Sequence, residues 1–143
     1  MTDFVLDNSV AMRWLLESEK ASDQKYAENV LNSLKKHDAV APGLWPLEAV
    51  SVLLGAEKRV EVSLGEIERF ISQLENLPIH IDPLTAHQAF SRTLALARAY
   101  NISSYDASYL ELAMREGLPL ASLDNKLVKV ARKADIGIYM KSD

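Results

Sequence analysis

Several residue types are absent or scarce in this sequence, and each shortage excludes a class of protein. There is no cysteine, which excludes disulfide bridges, zinc sites built on thiolates and catalysis by a cysteine nucleophile. Aromatic residues make up only 7% and are scattered, so they do not indicate a stacking surface for bases. Charged residues interrupt every apolar stretch well before the ~20 residues that a membrane-spanning helix needs.

Positive charge is also in short supply. The chain has 16 Lys and Arg against 20 Asp and Glu, a formal net charge of −4, and its pI is ≈ 5.4. This balance argues against a protein that holds nucleic acid by charge alone. The first seven residues carry two acids and no basic cluster, which is unlike the start of a secretory signal peptide. We expect a cytoplasmic protein, and a reducing compartment is compatible with the lack of cysteine.

The length and composition are typical of one globular domain. Of the 143 residues, 48% are hydrophobic and 25% are charged, close to the mean of soluble proteins. A second domain of ordinary size has no room in this length. We therefore expect a single domain over residues 1–143.

The apolar pattern predicts short strands that alternate with amphipathic helices. Strands are expected at 4–6, 39–41, 79–81, 118–121 and 136–139. Helices are expected from about residue 10 and over 22–36, 44–58, 63–74, 85–100, 103–117 and 124–134. Such alternation implies parallel pairing through right-handed crossovers. The predicted fold class is therefore α/β, a three-layer sandwich with a short central parallel sheet and helices on both faces.

Four acidic residues stand where an α/β protein places its ligands or where a charge is unexpected. Asp7 ends the first strand, Asp124 follows the strand at 118–121, and Asp106 lies in the first turn of a helix. Ligands of such sheets bind beyond the carboxyl ends of the strands. Glu48 has apolar residues three and four positions away on its helix, so its carboxylate lies within or beside an apolar stripe.

Each of these acids also has an ordinary structural interpretation. Asp124 can be a helix N-cap and Asp106 a favourable charge near a helix N-terminus, each stabilising by about 1 kcal/mol. Asp7 can close a strand-to-helix turn, and Glu48 can reach solvent or pair with an arginine. The occurrence of all four in one small domain is what indicates a shared site.

A cluster of carboxylates needs a counter-charge, because two of them ~4 Å apart repel by about 4 kcal/mol at an effective dielectric constant of about 20. No Lys or Arg stands beside all four acids, so a divalent cation is the natural substitute. Oxygen ligands favour Mg²⁺ or Mn²⁺ over zinc. The three histidines are not spaced as a ligand set: His37, His80 and His87.

Four stretches of the chain resemble, in order and spacing, the motifs of PIN-domain nucleases, and most of all the toxins of the VapBC type. They are residues 5–10, 45–53, 105–113 and 118–127. The resemblance covers nearly the whole chain. It implies a divalent-metal-dependent endoribonuclease that leaves a 5′-phosphate and a 3′-hydroxyl, is the toxin of a type II toxin–antitoxin pair, binds a small antitoxin protein and forms a homodimer. Asp7, Glu48, Asp106 and Asp124 fall on the family's catalytic and metal-binding positions.

Other residues take supporting roles under this resemblance. Ser9 and Ser122 stand where many members have threonine, which keeps the hydroxyl, and they are expected beside the metal ligands together with Asn125. The candidate RNA contacts are all cations: Arg13 on the first helix, and Lys126, Lys129 and Lys133 on the last. A solvated outer face is the alternative interpretation of the lysine stripe.

Competing functions can be compared at the same positions. An aspartyl-phosphate phosphatase needs a second aspartate two residues after the first, where Ser9 stands. A receiver domain needs adjacent acids at the end of the first strand, where Asn8 follows Asp7. The main alternative is a non-catalytic PIN-like module that binds RNA or a protein and keeps its acids for metal-dependent stability.

Overall fold

The centre of the fold is a sheet of four short parallel strands, seen in a computed structural model that describes residues 2–141. The strands are β1 (Phe4–Leu6), β2 (Ala39–Ala41), β3 (Ile79–Ile81) and β4 (Leu120–Ala121), and their order in the sheet is β3-β2-β1-β4. Strand β1 pairs with β2 on one side and with β4 on the other. All three of its residues are fully buried, as a central strand covered on both faces requires.

Helices connect the strands and cover both faces of the sheet. Within residues 2–141 they are α1 (Asn8–Ala11), α2 (Ala21–Ser33), α3 (Trp45–Lys58), α4 (Leu64–Glu75), α5 (Thr85–Gln88), α6 (Leu94–Tyr100), α7 (Ser104–Glu116) and α8 (Asn125–Lys133). A 3₁₀ turn, Met12–Trp14, continues α1. The predicted α/β sandwich with a parallel central sheet is confirmed. None of these helices combines the length and the apolarity that crossing a bilayer requires.

Helix ends follow the sequence signals closely. Ser63 caps α4 in a capping box, in which its side chain accepts from the backbone N–H of Glu66 while the Glu66 carboxylate accepts from the backbone N–H of Ser63. Ser103 caps α7 with its side chain. Gly117 ends α7 with φ 65°, a left-handed conformation that glycine adopts without strain.

Two predicted elements differ from the structure in kind, and others differ in their bounds: the strand predicted at 118–121 is Leu120–Ala121, and the helix predicted over 22–36 is Ala21–Ser33. The helix predicted over 85–100 is interrupted by a π-helical turn, Ala89–Thr93, which inserts an extra residue that a 3.6-residue period does not reveal. The strand predicted at 136–139 is reduced to one bridge between Ile138 and Leu120. It extends no further because the chain turns directly afterwards, with Met140 at φ 60°. The domain predicted over 1–143 includes residues 1, 142 and 143, which lie outside the described part.

The capping box of α4 predicts a measurable loss of stability on Ser63→Ala. This change leaves the backbone N–H of Glu66 without its side-chain acceptor, and we expect the free energy of unfolding to fall by about 1 kcal/mol. Urea denaturation measures the change. Ser72→Ala, an exposed position on the same helix, is the matched control and should leave stability nearly unchanged. Equal effects of the two substitutions would contradict the role assigned to the cap.

Candidate active site

The order of the strands places the first and last acids in one crevice. The chain adds β2 and β3 on one side of β1 and then crosses back, so that β4 pairs on the other side. A parallel sheet opens a crevice at such a switch point, beyond the carboxyl ends of the strands. Asp7 directly follows β1, and Asp124 lies three residues after β4. The topology therefore brings two residues from opposite ends of the sequence to the same edge.

Two serine hydroxyls clamp the carboxylate of Asp7. Ser9 Oγ donates to Asp7 Oδ2 at 2.6 Å, and Ser122 Oγ donates to the same oxygen at 2.7 Å. Each hydroxyl has one proton, so the 3.5 Å approach of the two serine oxygens is a contact rather than a hydrogen bond. Both donors hold Oδ2, which fixes the orientation of the carboxylate and leaves Oδ1 to other ligands.

The same serines also order the loop that carries Asp124. Ser9 Oγ accepts from the backbone N–H of Leu123 at 2.9 Å, and Ser122 Oγ accepts from the backbone N–H of Asp124 at 3.0 Å. Asp124 in turn caps α8, since its Oδ1 accepts from the backbone N–H of Leu127 at 3.1 Å. The structural interpretation of Asp124 as an N-cap is thus correct, and its second carboxylate oxygen is not needed for the cap.

Glu48 reaches the crevice from α3 and is held by a tyrosine that the sequence analysis did not assign. Tyr109 donates its phenolic hydrogen to Glu48 Oε1 at 2.9 Å. Tyr109 is 1% exposed, and burial, together with the charges of Asp7 and Glu48, raises its pKa. The tyrosine therefore stays protonated and serves Glu48 only as a donor. Its place in the motif that begins at Tyr105 was the available signal, but no spacing rule links it to Glu48.

Asp106 enters the crevice from the first turn of α7, which packs against β1. Ser103 Oγ accepts from the backbone N–H of Asp106 at 3.0 Å, so the cap leaves the Asp106 carboxylate unused. Lys126, at the start of α8, lies near enough to lower the pKa of Asp106, although burial and neighbouring carboxylates act more strongly in the other direction. Lys126 is therefore a cation at the edge of the acidic cluster.

The pKa values show that the four acids share one electrostatic environment. Burial raises the pKa of Asp7, and the charge of Asp124 adds to the effect. Burial likewise raises the pKa of Glu48, with further contributions from Asp7 and Asp106. For Asp106, burial raises the pKa first, followed by the charges of Asp124 and Asp7. The structure thus brings together all four acids that the sequence singled out.

The cluster matches a divalent cation in donor chemistry but is not closed around one. Its donors are carboxylate oxygens, the ligands that hard cations prefer, and their mutual repulsion is what a bound cation would remove. Among residues 2–141, however, no three Asp, Glu or His side chains stand close enough to form a ready-made metal-binding group. Ligation would require side-chain adjustment or bridging waters, which is compatible with carboxylates that repel one another.

The other predicted site residues are less closely associated with the acids. Asn125 is exposed as the first residue of α8, and Lys129 and Lys133 are exposed farther along that helix. Arg13 lies half-buried in the 3₁₀ turn after α1, where its carbonyl accepts a hydrogen bond from Gln24. Within the described part of the chain, its side chain forms no ion pair with the four acids.

Comparison with known proteins identifies the class of protein that has this fold and site. The PIN domain family matches residues 4–133, most of the chain, and the chain therefore belongs to the PIN-domain family. PIN domains are generally nucleases and generally bind divalent metal ions, which supports a general nuclease role.

A solved structure has the same fold. The crystal structure of PAE2754 from Pyrobaculum aerophilum aligns with a TM-score of 0.66 at 20% sequence identity, covering 90% of this chain and 79% of that chain. At this identity the likeness establishes the fold alone. No curated protein matches the sequence.

Proposed function

We propose that the protein is a Mg²⁺- or Mn²⁺-dependent endoribonuclease and the toxin of a type II toxin–antitoxin pair. The observation that supports this most is the meeting of Asp7, Glu48, Asp106 and Asp124 in one crevice of a PIN domain. An RNA substrate would place the reaction in the cytoplasm. The products would be a 5′-phosphate and a 3′-hydroxyl.

The residues of the crevice have distinct roles in this proposal. Asp7, Asp106 and Asp124 hold the cation, which when bound would lower the pKa of a bound water and stabilise charge that develops on the phosphate. Ser9 and Ser122 keep the Asp7 carboxylate in one orientation through the hydrogen bonds to Oδ2.

Glu48 orients the attacking water in this scheme. Tyr109 holds Oε1 of Glu48 and leaves Oε2 to contact that water. Since the carboxylate is half-buried, its hydrogen bond to the water is exposed to less competition from solvent than it would be at the surface.

The proposal predicts that cleavage depends on added metal. Purified protein incubated with single-stranded RNA should cut it with Mg²⁺ or Mn²⁺ present, and an excess of chelator should stop the reaction, because the four acids alone supply no Lewis acid. Gel electrophoresis of end-labelled RNA reports cleavage, and end-group analysis reports the 5′-phosphate.

Calorimetric titration with metal separates the two main interpretations. Metal uptake without cleavage of any RNA would favour the non-catalytic, metal-stabilised module. Cleavage that persists in chelator would show that the metal-dependent mechanism is wrong.

An acidic protein must still attract an RNA strand, and we propose that the lysines of α8 do so. Lys126, Lys129 and Lys133 are exposed. The stripe begins near Asp106: burial and neighbouring carboxylates raise the pKa of Asp106, and the charge of Lys126 partly opposes this rise. The charges of these lysines would contact phosphates on the way to the crevice. Arg13 and Asn125 remain candidates for further contacts with the strand or with metal-bound water.

Charge reversal on α8 tests this proposal. The double variant Lys129→Glu/Lys133→Glu should weaken RNA binding and reduce the slope of log K against log salt by about 2 or more. Fluorescence anisotropy over a salt series measures both. Lys25→Glu/Lys58→Glu, two exposed lysines on α2 and α3, is the control for net charge. An unchanged slope in the α8 variant would exclude the stripe as an RNA contact.

The partner surface in this proposal is the outer face of α3. Leu54 is 50% exposed and Val50 46%, although both are large apolar residues, whereas Trp45 and Leu53 on the same helix are buried. An exposed apolar face of this kind is typical of a protein interface. We propose that it binds the antitoxin or a second copy of the chain. Light scattering that shows a monomer at all concentrations would exclude the homodimer.

A further inference from the structure

A cleft adjoins the acidic crevice and shares Glu48 with it. The cleft has a volume of about 490 Å³, and its walls include Asn8, Leu44, Leu47, Glu48, Ser51 and Tyr105. Two of these residues neighbour the site acids in sequence: Leu47 precedes Glu48 on α3, and Tyr105 precedes Asp106 on α7. The two helices that supply acids to the crevice therefore also supply walls of the cleft.

The walls suit a flat, uncharged ring. Leu47 is 71% exposed and Tyr105 58%. The cleft therefore offers solvent an aliphatic and an aromatic surface, and Glu48 lines the same cleft. Aromatic side chains stack on any nucleobase, because every base has a π face. Glu48 in the wall carries a negative charge that repels phosphate, so the sugar–phosphate backbone is not the part of an RNA strand that this cleft admits.

A buried amide supplies a polar group to the cleft. Asn8 is 8% exposed, and its Oδ1 is buried without a hydrogen-bond partner. Buried polar side chains are rarely left unpaired in this way. The hydroxyl of Ser51, on the exposed side of the cleft, is a second group that can meet a base edge.

We propose that this cleft binds the nucleobase of a nucleotide next to the cleaved phosphate, with the ring face on Tyr105 and Leu47 and the ring edge on the amide of Asn8. The proposal rests on the ribonuclease function proposed above and adds a base-binding subsite to it. A single base fits the cleft beside Glu48, and its attachment to the strand brings the neighbouring phosphate to the acids.

Removal of one base from the substrate tests the subsite directly. An RNA oligonucleotide that the enzyme cuts at one bond is compared with copies that carry an abasic ribose at each position flanking that bond. We expect the abasic ribose at one of these positions to lower kcat/KM of the wild type by about tenfold or more, because the stacking of one base on an aromatic ring is lost. Tyr105→Ala and Asn8→Ala should cut the intact RNA more slowly and show little further loss on that abasic RNA.

Conservative and distant variants complete the experiment. Tyr105→Phe keeps the ring and should retain the wild-type sensitivity to the abasic position. Phe90→Ala and Asn29→Ala remove an exposed aromatic ring and an exposed amide elsewhere, and they should also behave as wild type. Because Tyr105 is exposed, its replacement should leave the fold intact, so Tyr105→Ala decides the question if Asn8→Ala is unstable.

The outcomes separate the subsite from the proposed function. A wild type that cuts every abasic RNA as fast as the intact one, or variants that slow both substrates by the same factor, would overturn the subsite while the ribonuclease function stands. A wild type that cuts no RNA in the presence of metal would overturn the ribonuclease function, and the subsite with it.

Discussion

Replacement of Asp7 by asparagine is expected to lower metal-dependent RNA cleavage by about a thousandfold or more. Asp7 lies at the centre of the proposed cation site, and its charge influences the pKa of both Glu48 and Asp106. An amide is nearly the same size and still accepts hydrogen bonds from the two clamping serines, so the change removes charge without removing packing. A cleavage assay over a series of metal concentrations measures the loss.

The same substitution should leave the fold at least as stable as before. Burial raises the pKa of Asp7 above its ordinary value, so ionisation of this group costs stability once the pH exceeds that ordinary value. The uncharged variant lacks this cost and should unfold at an equal or higher temperature near neutral pH. Glu68→Gln on the exposed face of α4 is the control for loss of one acid. Full cleavage by a folded Asp7→Asn protein would refute the proposed role of the crevice.

Arg115→Met is expected to lower the free energy of unfolding by about 3 to 5 kcal/mol, because it leaves two buried carboxylates without their counter-charge. Arg115 donates to Asp82 at 2.7 and 3.2 Å and to Glu111 at 2.9 and 3.0 Å. Asp82 is 5% exposed and Glu111 1%. Urea denaturation with tryptophan fluorescence measures the loss.

A surface pair and a charge-free variant test this explanation. Arg59→Met breaks the exposed pair with Glu61 and should change stability little. Asp82→Asn/Glu111→Gln/Arg115→Met removes all three charges and should recover part of the loss, since the penalty comes from unpaired charge. If Arg59→Met costs as much as Arg115→Met, burial of the network is not the cause.

The pH dependence of the network has a definite sign. Burial acts to raise the pKa of Asp82, but hydrogen bonds from Arg115 and Thr85 outweigh it and bring the pKa below the ordinary value of 3.8. The stability from this carboxylate is therefore complete above pH 3.8 and is lost as the pH falls through the lowered pKa.

Features of the site that depend on neighbours in sequence were predictable. Asp7 and Asp124 each follow a strand, and both strands are recognisable in the sequence as apolar runs bounded by turn residues. Residues that follow parallel strands lie at the same edge of the sheet. Ser9 and Ser122 were expected beside the ligands, and both bind Asp7. Glu48 was recognised as a carboxylate in an apolar setting, which its half-buried position explains.

Features that depend on long-range packing were not predictable. Tyr109 meets Glu48 across 61 positions of sequence, and helical periodicity says nothing about which residue of α7 faces α3. Arg115 forms ion pairs with Asp82 and Glu111. The sequence around an arginine on a helix does not tell whether its side chain is exposed or neutralises buried carboxylates. The π-helical turn before α6 was not predicted either; within it Thr93 is buried while Phe90 is 94% exposed.

The serine clamp on Asp7 has a consequence for synthesis of the protein. Ser9 emerges from the ribosome early, but Ser122 and the strand that pairs beside β1 emerge only after most of the chain has been made. A nascent chain that ends before residue 120 lacks a neighbour for the central strand, half of the clamp and the fourth acid. The complete crevice therefore forms only after residues 120–124 have been synthesised, which are among the last of the chain.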